Sequence, residues 1–158
     1  MTFGIIGSGA FGTALSISLS STNKKLILWT RNQDVVNSVQ ELRENRLRLP
    51  GYILPQNIIV TNDINQMENC SIILIAVPMQ QLRSVVELHR SRLEGKILVA
   101  CCKGFEVSTG LGPTSILEMA SNKTAVLTGP SFAADLASGF PTALTVASKV
   151  EGLAQYIQ

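Results

Sequence analysis

The sequence predicts an α/β fold built on a doubly wound, mainly parallel sheet, and three observations predict it. Short apolar runs alternate along the 158 residues with longer stretches of helical spacing, which is the pattern of successive β-α-β units. The run at residues 72–77 is apolar throughout, as expected of a parallel strand that is covered on both faces. A glycine-rich turn at residues 7–12 joins the first apolar run to the first helical stretch.

The strands follow from runs of β-branched and other apolar residues. They are predicted at residues 3–6, 26–29, 58–60, 72–77, 97–101 and 125–127, with a further strand at 142–147. A helix is predicted from residue 10 to residue 19, directly after the glycines. Residues 45–55 contain two prolines and a glycine and are predicted to form a loop.

Two further helices have one readable end each. Pro78 suits the first turn of a helix, because its missing N–H has no partner there, and the apolar face behind it comprises Leu82, Val85, Val86 and Leu93. The spacing of Leu153, Tyr156 and Ile157 predicts the start of an amphipathic helix. The sequence stops at Gln158 with no capping residue or glycine to end this helix. We interpret this ending as a cut within a longer protein, and a frayed natural C-terminus is the alternative.

Composition and charge exclude several classes of function. The formal net charge is +2, which is too small to indicate a surface for nucleic acid or for an anionic membrane, and aromatic residues make up only 5%. No apolar run is long enough to span a bilayer. Three cysteines, two of them adjacent, predict neither a disulfide framework nor a metal site. We therefore expect a protein of the reducing cytoplasm with no metal, nucleic-acid or membrane partner.

The turn Gly7-Ser8-Gly9-Ala10-Phe11-Gly12 fits the pattern G-x-G-x-x-G between a strand and a helix. In this context Gly7 permits the tight turn, Gly9 leaves room for a diphosphate, and Gly12 lets the helix approach the sheet. The helix N-terminus offers unpaired N–H groups to the phosphates. We expect residues 1–158 to form a Rossmann-type dinucleotide-binding domain; a flexible N-terminal turn is the alternative.

The end of the second strand bears on the choice of cofactor. Sites that prefer NAD place an acidic residue there, about 20 residues beyond the motif, to bind the ribose hydroxyls. This sequence has Arg31 instead, and a guanidinium group can bind a 2′-phosphate through two hydrogen bonds. We expect both NADP and NAD to bind, with NADP preferred. The alternative is that Arg31 is a solvated surface residue.

Candidate substrate contacts follow two later strands, because ligands of such sheets lie outside the carboxyl ends of the strands. Lys103 follows the fifth strand and suits a phosphate or carbonyl oxygen, or else extends along the surface into solvent. Gly129 and Ser131 follow the sixth strand. Ser131 is expected to be a helix N-cap, at an anion site or as simple capping. The single histidine, His89, is expected to pack or to offset a helix dipole, and one of Cys101 and Cys102 is expected to face the core.

Several segments together resemble one family. They are GSGAFGTAL (7–15), LW (28–29), AVP (76–78), KG (103–104), TGPSFA (128–133) and GFPTA (139–143). The chain resembles the N-terminal, cofactor-binding half of bacterial NAD(P)-dependent glycerol-3-phosphate dehydrogenase. The resemblance runs from Phe3 to the last residue and covers about half of such an enzyme.

The resemblance implies an oxidoreductase that reduces dihydroxyacetone phosphate to sn-glycerol 3-phosphate for glycerophospholipid synthesis, as a homodimer in its full-length form. It implies cofactor contacts at Ala10, Phe11, Arg31, Lys103 and Ala133. It implies substrate contacts at Lys103, Gly129 and Ser131. The family's catalytic lysine lies in a helical C-terminal domain beyond Gln158, so we expect no catalytic residue in this chain and no turnover by it.

The chain departs from the family pattern at one position within it. The family has an aromatic residue in an Asn-x-x-aromatic-Leu-Pro segment, and NRLRLP (45–50) places Arg48 there. Two other functions stay open from the sequence. One is another two-domain reductase, acting on a 3-hydroxyacid or a sugar nucleotide, and the other is a non-catalytic module that senses a nucleotide.

Overall fold

The computed structural model describes residues 2–21 and 25–158. One seven-stranded sheet runs through them in the order β3-β2-β1-β4-β5-β6-β7. The first six strands are parallel, and β7 pairs with β6 in the antiparallel direction. The predicted doubly wound, mainly parallel sheet is confirmed. The strands are β1 (Phe3–Ile6), β2 (Leu26–Trp29), β3 (Ile58–Thr61), β4 (Ile72–Ile75), β5 (Ile97–Ala100), β6 (Thr124–Thr128) and β7 (Thr145–Ala147).

Helices cover both faces of the sheet. They are α1 (Ala10–Ser20), α2 (Gln33–Leu42), α3 (Met79–Leu88), α4 (Arg90–Leu93), α5 (Pro113–Leu117), α6 (Ala133–Ala137) and α7 (Leu153–Ile157), with a 3₁₀ helix at Ile64–Asn69. None of the helices in the described parts of the chain is both long and apolar enough to cross a lipid bilayer.

The core lies in two layers because side chains alternate across each strand. Ile5 belongs to the layer that α1, α2 and α6 cover, and Ile6 belongs to the layer that α3 and α5 cover. All four residues of β4 are buried, which explains why the sequence of this central strand is continuously apolar.

Several predicted boundaries differ from the observed ones. The strand predicted at 72–77 ends at Ile75, because the chain leaves the sheet after the Ala76 N–H bonds to the Ile6 carbonyl at 2.8 Å. The helix predicted to carry Leu93 is interrupted at His89, where the backbone turns to φ −112° and ψ 16°. The strand predicted at 142–147 is confirmed only over Thr145–Ala147, and the helix predicted from Leu153 is confirmed.

Candidate functional site

Two glycines fix the course of the turn between β1 and α1. Gly7 has φ +110°, and a Cβ there would lie 2.5 Å from the Ala76 carbonyl oxygen. A Cβ on Gly12 would lie 1.9 Å from the Gly7 carbonyl oxygen. The Gly7 N–H also donates to the Trp29 carbonyl at 3.0 Å. The roles predicted for Gly7 in the turn and for Gly12 in close packing are therefore confirmed.

Gly9 occupies a different environment at the N-cap of α1. A Cβ there would meet no atom within 4 Å, so the space beside it is open. No side chain in the described parts of the chain caps the first turn of α1, and that turn contains no acidic residue. The backbone N–H groups of the first turn are orphan donors, and the helix dipole adds positive potential beside them. This end of α1 suits a phosphate group.

Two cavities meet at this turn. The lysine cavity, of about 440 Å³, runs from the turn to the ends of β5 and β6 and includes Lys103. The arginine cavity, of about 940 Å³, runs from the turn past the end of β2 and includes Arg31. The cavities share five lining residues, which are Gly9, Ala10, Ala76, Val77 and Pro78. One elongated ligand can therefore cross the N-terminus of α1 and occupy both.

The lysine cavity brings together the predicted substrate residues. The Lys103 Nζ donates to the Gly129 carbonyl at 3.1 Å, and Ser131 also lines this cavity. The Ser131 Oγ is buried and has no hydrogen-bond partner within the described structure. Gly129 adopts φ +155°, and a Cβ there would lie 2.4 Å from the Ala143 carbonyl oxygen. Lys103, Gly129 and Ser131 thus line one cavity.

The predicted capping role of Ser131 is wrong. Helix α6 begins at Ala133, and its N-cap is Phe132. The Ser131 N–H instead bonds to the Gly129 carbonyl at 3.0 Å, which holds residues 129–131 in a turn before the helix. Ala133 lines neither cavity and packs against the core layer beneath α1. Phe11 lines the lysine cavity.

The arginine cavity carries positive charge. Arg31 and Arg48 both line it, no Asp or Glu does so, and neither arginine forms an ion pair within residues 2–21 and 25–158. His89 also lines it and packs its ring edge-on against Trp29, with ring centroids 5.0 Å apart. Burial lowers the pKa of His89, which favours the neutral packing role over dipole compensation.

A comparison with known protein families decides the identity of the domain. Residues 2–154 match the model of the N-terminus of NAD-dependent glycerol-3-phosphate dehydrogenase. The chain belongs to this family. A glycerol-3-phosphate dehydrogenase [NAD(P)+] of Ruegeria sp. is 48% identical over 149 residues, which is 93% of this chain and 46% of that protein. A relative of the same name from Roseobacter denitrificans is 44% identical and matches 100% of this chain and 50% of its own length.

Solved structures of glycerol-3-phosphate dehydrogenases share the fold. The enzyme of Coxiella burnetii superposes with a TM-score of 0.90 at 26% sequence identity, over 99% of this chain and 49% of that one. The chain therefore spans about half the length of the relatives that it matches. The Rossmann-type fold expected from the sequence is confirmed for this half.

The structure also shows a site feature that sequence reasoning missed in this glycerol-3-phosphate dehydrogenase domain. The loop that follows Lys103 is joined to α3 by a partly buried ion pair, in which Arg83 donates to Glu106 with Nη2–Oε2 2.7 Å. Gln80 donates to the Phe105 carbonyl at 2.9 Å and accepts from the Val107 N–H at 3.0 Å. The hydrogen bonds from Arg83 and then Thr109 lower the pKa of Glu106.

The adjacent cysteines lie on opposite sides of the sheet. Cys101 packs in the layer beneath α1, and Cys102 packs in the layer beneath α3. The expectation that one of them faces the core is confirmed, and the other is buried as well. Burial raises the pKa of the Cys101 thiol to about 12 and also raises that of Cys102, so their thiolate forms are disfavoured at neutral pH.

Proposed function

We propose that this domain binds NADP(H) and NAD(H) across the two cavities, and that it binds NADP(H) more tightly. The observation that carries the proposal is the meeting of both cavities at the uncapped N-terminus of α1. Gly7, Gly9, Ala10, Phe11 and Gly12 would form the diphosphate side of the site. The adenosine half would lie in the arginine cavity, and the nicotinamide half would lie in the lysine cavity toward Lys103. Ala133 lines neither cavity, so we assign it no contact here.

The preference for NADP(H) rests on the charge of the arginine cavity. Arg31 would bind the 2′-phosphate, since its guanidinium group has no acidic partner among the described residues. Arg48, at the position where the family pattern has an aromatic residue, lines the same cavity and adds a second positive charge. Among the residues that the structure describes, no carboxylate lines the cavity to favour a ribose without the phosphate.

For the full-length protein we propose interconversion of dihydroxyacetone phosphate and sn-glycerol 3-phosphate. The nicotinamide supplies the hydride chemistry when bound, and the protein supplies orientation and charge. Lys103 would attract the phosphorylated substrate and polarise its carbonyl oxygen, while Gly129 and Ser131 would line its position. The catalytic lysine would lie outside this chain. A cytoplasmic homodimer that feeds glycerophospholipid synthesis fits this reaction.

The binding proposal is testable through the only tryptophan. Trp29 lines the arginine cavity and is 9% exposed, so quenching of its fluorescence reports occupancy. We expect NADPH to bind at least about tenfold more tightly than NADH. Arg31→Ala should remove most of that difference by weakening NADPH alone. Arg90→Ala, an exposed arginine outside both cavities, is the matched control. Absence of binding by either nucleotide would overturn the proposal.

The reaction is tested by NADPH absorbance in the presence of dihydroxyacetone phosphate. We expect no turnover by the 158-residue chain and measurable turnover by the full-length protein. Lys103→Ala in the full-length protein should raise the KM for dihydroxyacetone phosphate and lower kcat, because the cation at the substrate is lost. Turnover by the 158-residue chain alone would contradict the placement of the catalytic lysine outside it. Light scattering of the full-length protein tests the homodimer.

A further inference from the structure

Asn45 connects the loop after α2 to the glycine turn. The residue is fully buried, and its Nδ2 lies 2.9 Å from the Ser8 carbonyl oxygen and 2.8 Å from the Thr13 Oγ1. A carbonyl oxygen only accepts hydrogen bonds, so the amide nitrogen must face Ser8. The Oδ1 has no hydrogen-bond partner within the described structure. The side chain of Asn45 is therefore linked to its surroundings by the bonds that it donates toward the turn.

These bonds set the orientation of one peptide group. The Ser8 carbonyl accepts hydrogen bonds from Asn45 Nδ2 at 2.9 Å and from the Thr13 hydroxyl at 3.3 Å, and neither of these two donor residues lines a cavity. The peptide bonds of the described chain are trans, and in a trans peptide the carbonyl and the following N–H point in opposite directions. The Gly9 N–H therefore points away from Asn45 and toward the open side, where Gly9 lines both cavities.

The orientation of this peptide decides the sign of the charge that a phosphate would meet. With the Ser8 carbonyl held inward, the site presents N–H groups and positive potential. A flipped peptide would present a carbonyl oxygen to an anion. The main chain of Asn45 adds a second link, since its carbonyl accepts from the Arg48 and Leu49 N–H groups at 3.2 and 2.8 Å. The same residue thus fixes the segment that places Arg48 at the arginine cavity.

We propose that Asn45 is a positioning residue of the nucleotide site, which holds the Ser8–Gly9 peptide so that its N–H faces the diphosphate. This inference rests on the proposed function and adds a residue that lines neither cavity. Asn45 acts through the backbone and touches no ligand itself.

Asn45→Asp is the decisive variant, because it keeps the shape of the side chain and removes the donor. At pH 8 the ionised carboxylate would place an oxygen against the Ser8 carbonyl, and we expect the Kd for NADP⁺ to rise at least about tenfold. At pH 5.5 a buried carboxyl group is partly protonated and can donate again. The ratio of variant to wild-type Kd should therefore fall toward one. Taking the ratio at each pH cancels titration of the nucleotide.

Two further variants separate positioning from folding. Val39→Ala truncates a buried side chain of α2 that lines neither cavity, and it should lower stability while leaving the Kd within twofold of wild type. Thr13→Val removes the hydroxyl that joins Asn45 to Ser8, and it should raise the Kd about threefold or more. This variant decides the question if Asn45→Asp does not fold.

The outcomes distinguish this inference from the proposed function. Wild-type protein that binds no NADP⁺ overturns both. Binding by wild type together with unchanged affinity in Asn45→Asp at pH 8, or in Thr13→Val where the first variant does not fold, overturns the positioning role alone. So does a Val39→Ala control that loses as much affinity as the test variant, or a ratio that does not change with pH.

Discussion

A single methyl group added at Gly9 should weaken ligand binding while leaving the stability of the fold nearly unchanged. The backbone at Gly9 has φ −63° and ψ 177°, which other residues adopt without strain, and a Cβ there meets no atom within 4 Å. Replacing glycine by alanine at such a position stabilises by about 0.4–1 kcal/mol through the unfolded state. Alanine is a poorer N-cap than glycine. We expect the free energy of unfolding of Gly9→Ala to stay within about 1 kcal/mol of wild type.

The same methyl group lies where the two cavities meet, so it should keep a diphosphate from the N–H groups of α1. Hydrogen bonds to a charged group contribute about 1.5–3 kcal/mol each. Loss of one of them corresponds to about a tenfold rise in Kd or more. The assay is Trp29 quenching by NADPH, with urea unfolding of the same preparation as the measure of stability.

Gly12→Ala, unlike Gly9→Ala, should lower the stability of the fold. Its Cβ would lie 1.9 Å from the Gly7 carbonyl oxygen, so the start of α1 must move away from β1. We expect a loss of about 3 kcal/mol or more, which is a large share of the 5–15 kcal/mol that typically stabilises a domain. Our reasoning is refuted if Gly9→Ala binds NADPH within twofold of wild type, or if Gly12→Ala is as stable as wild type.

Three other measurements test the electrostatics of the domain. The pKa of Glu106 is lowered in the folded state by Arg83 and Thr109. The ionised Glu106 therefore stabilises the fold above the unfolded pKa of about 4.3, and this stabilisation is lost as pH falls through the folded pKa. The urea midpoint of Glu106→Gln should consequently decline less below about pH 4.5 than that of wild type. The ring resonances of His89 should titrate with a midpoint below about 6.5, because burial disfavours its charged form; a midpoint above that value would contradict the observed packing. The three cysteine thiols are all buried and should react with a disulfide reagent only slowly until urea unfolds the chain, whereas prompt labelling of the native protein would show that the sheet opens readily.

The architecture could be predicted from the sequence because the residue patterns that indicate a strand or a helix lie within that strand or helix. Alternating apolar runs and helical spacing lie within each element, so the seven strands were all located. Strand ends were harder to predict, since an end depends on which neighbour accepts the last hydrogen bond. Ala76 and Val77 are as apolar as the strand before them, yet they form the shared wall of both cavities.

The residues of the site likewise fall into those that local sequence patterns predict and those that depend on contacts between distant parts of the chain. The glycine turn, Arg31 and Lys103 could be found because their spacing from predicted strands is visible in the chain. Asn45 and Ser8 are 37 residues apart, and Arg83 and Glu106 are 23 apart. No local pattern pairs such residues. Ser131 was misassigned because a serine before a helical run suggests a cap, whereas a turn at residues 129–131 delays the helix by one residue, so that Phe132 is the N-cap.

The position of β1 between β2 and β4 has a mechanical consequence. Its end is bonded to both neighbours, through Gly7 N–H to Trp29 on one side and Ala76 N–H to Ile6 on the other. A molecule lying across this point would contact loops from both halves of the sheet, that is, from the side of β2 and β3 and from the side of β4 to β7. The bound molecule would then stabilise both halves of the sheet, because unfolding of either half would require its dissociation. Amide exchange in β3 and in β6 should slow together on binding, although these strands share no hydrogen bond.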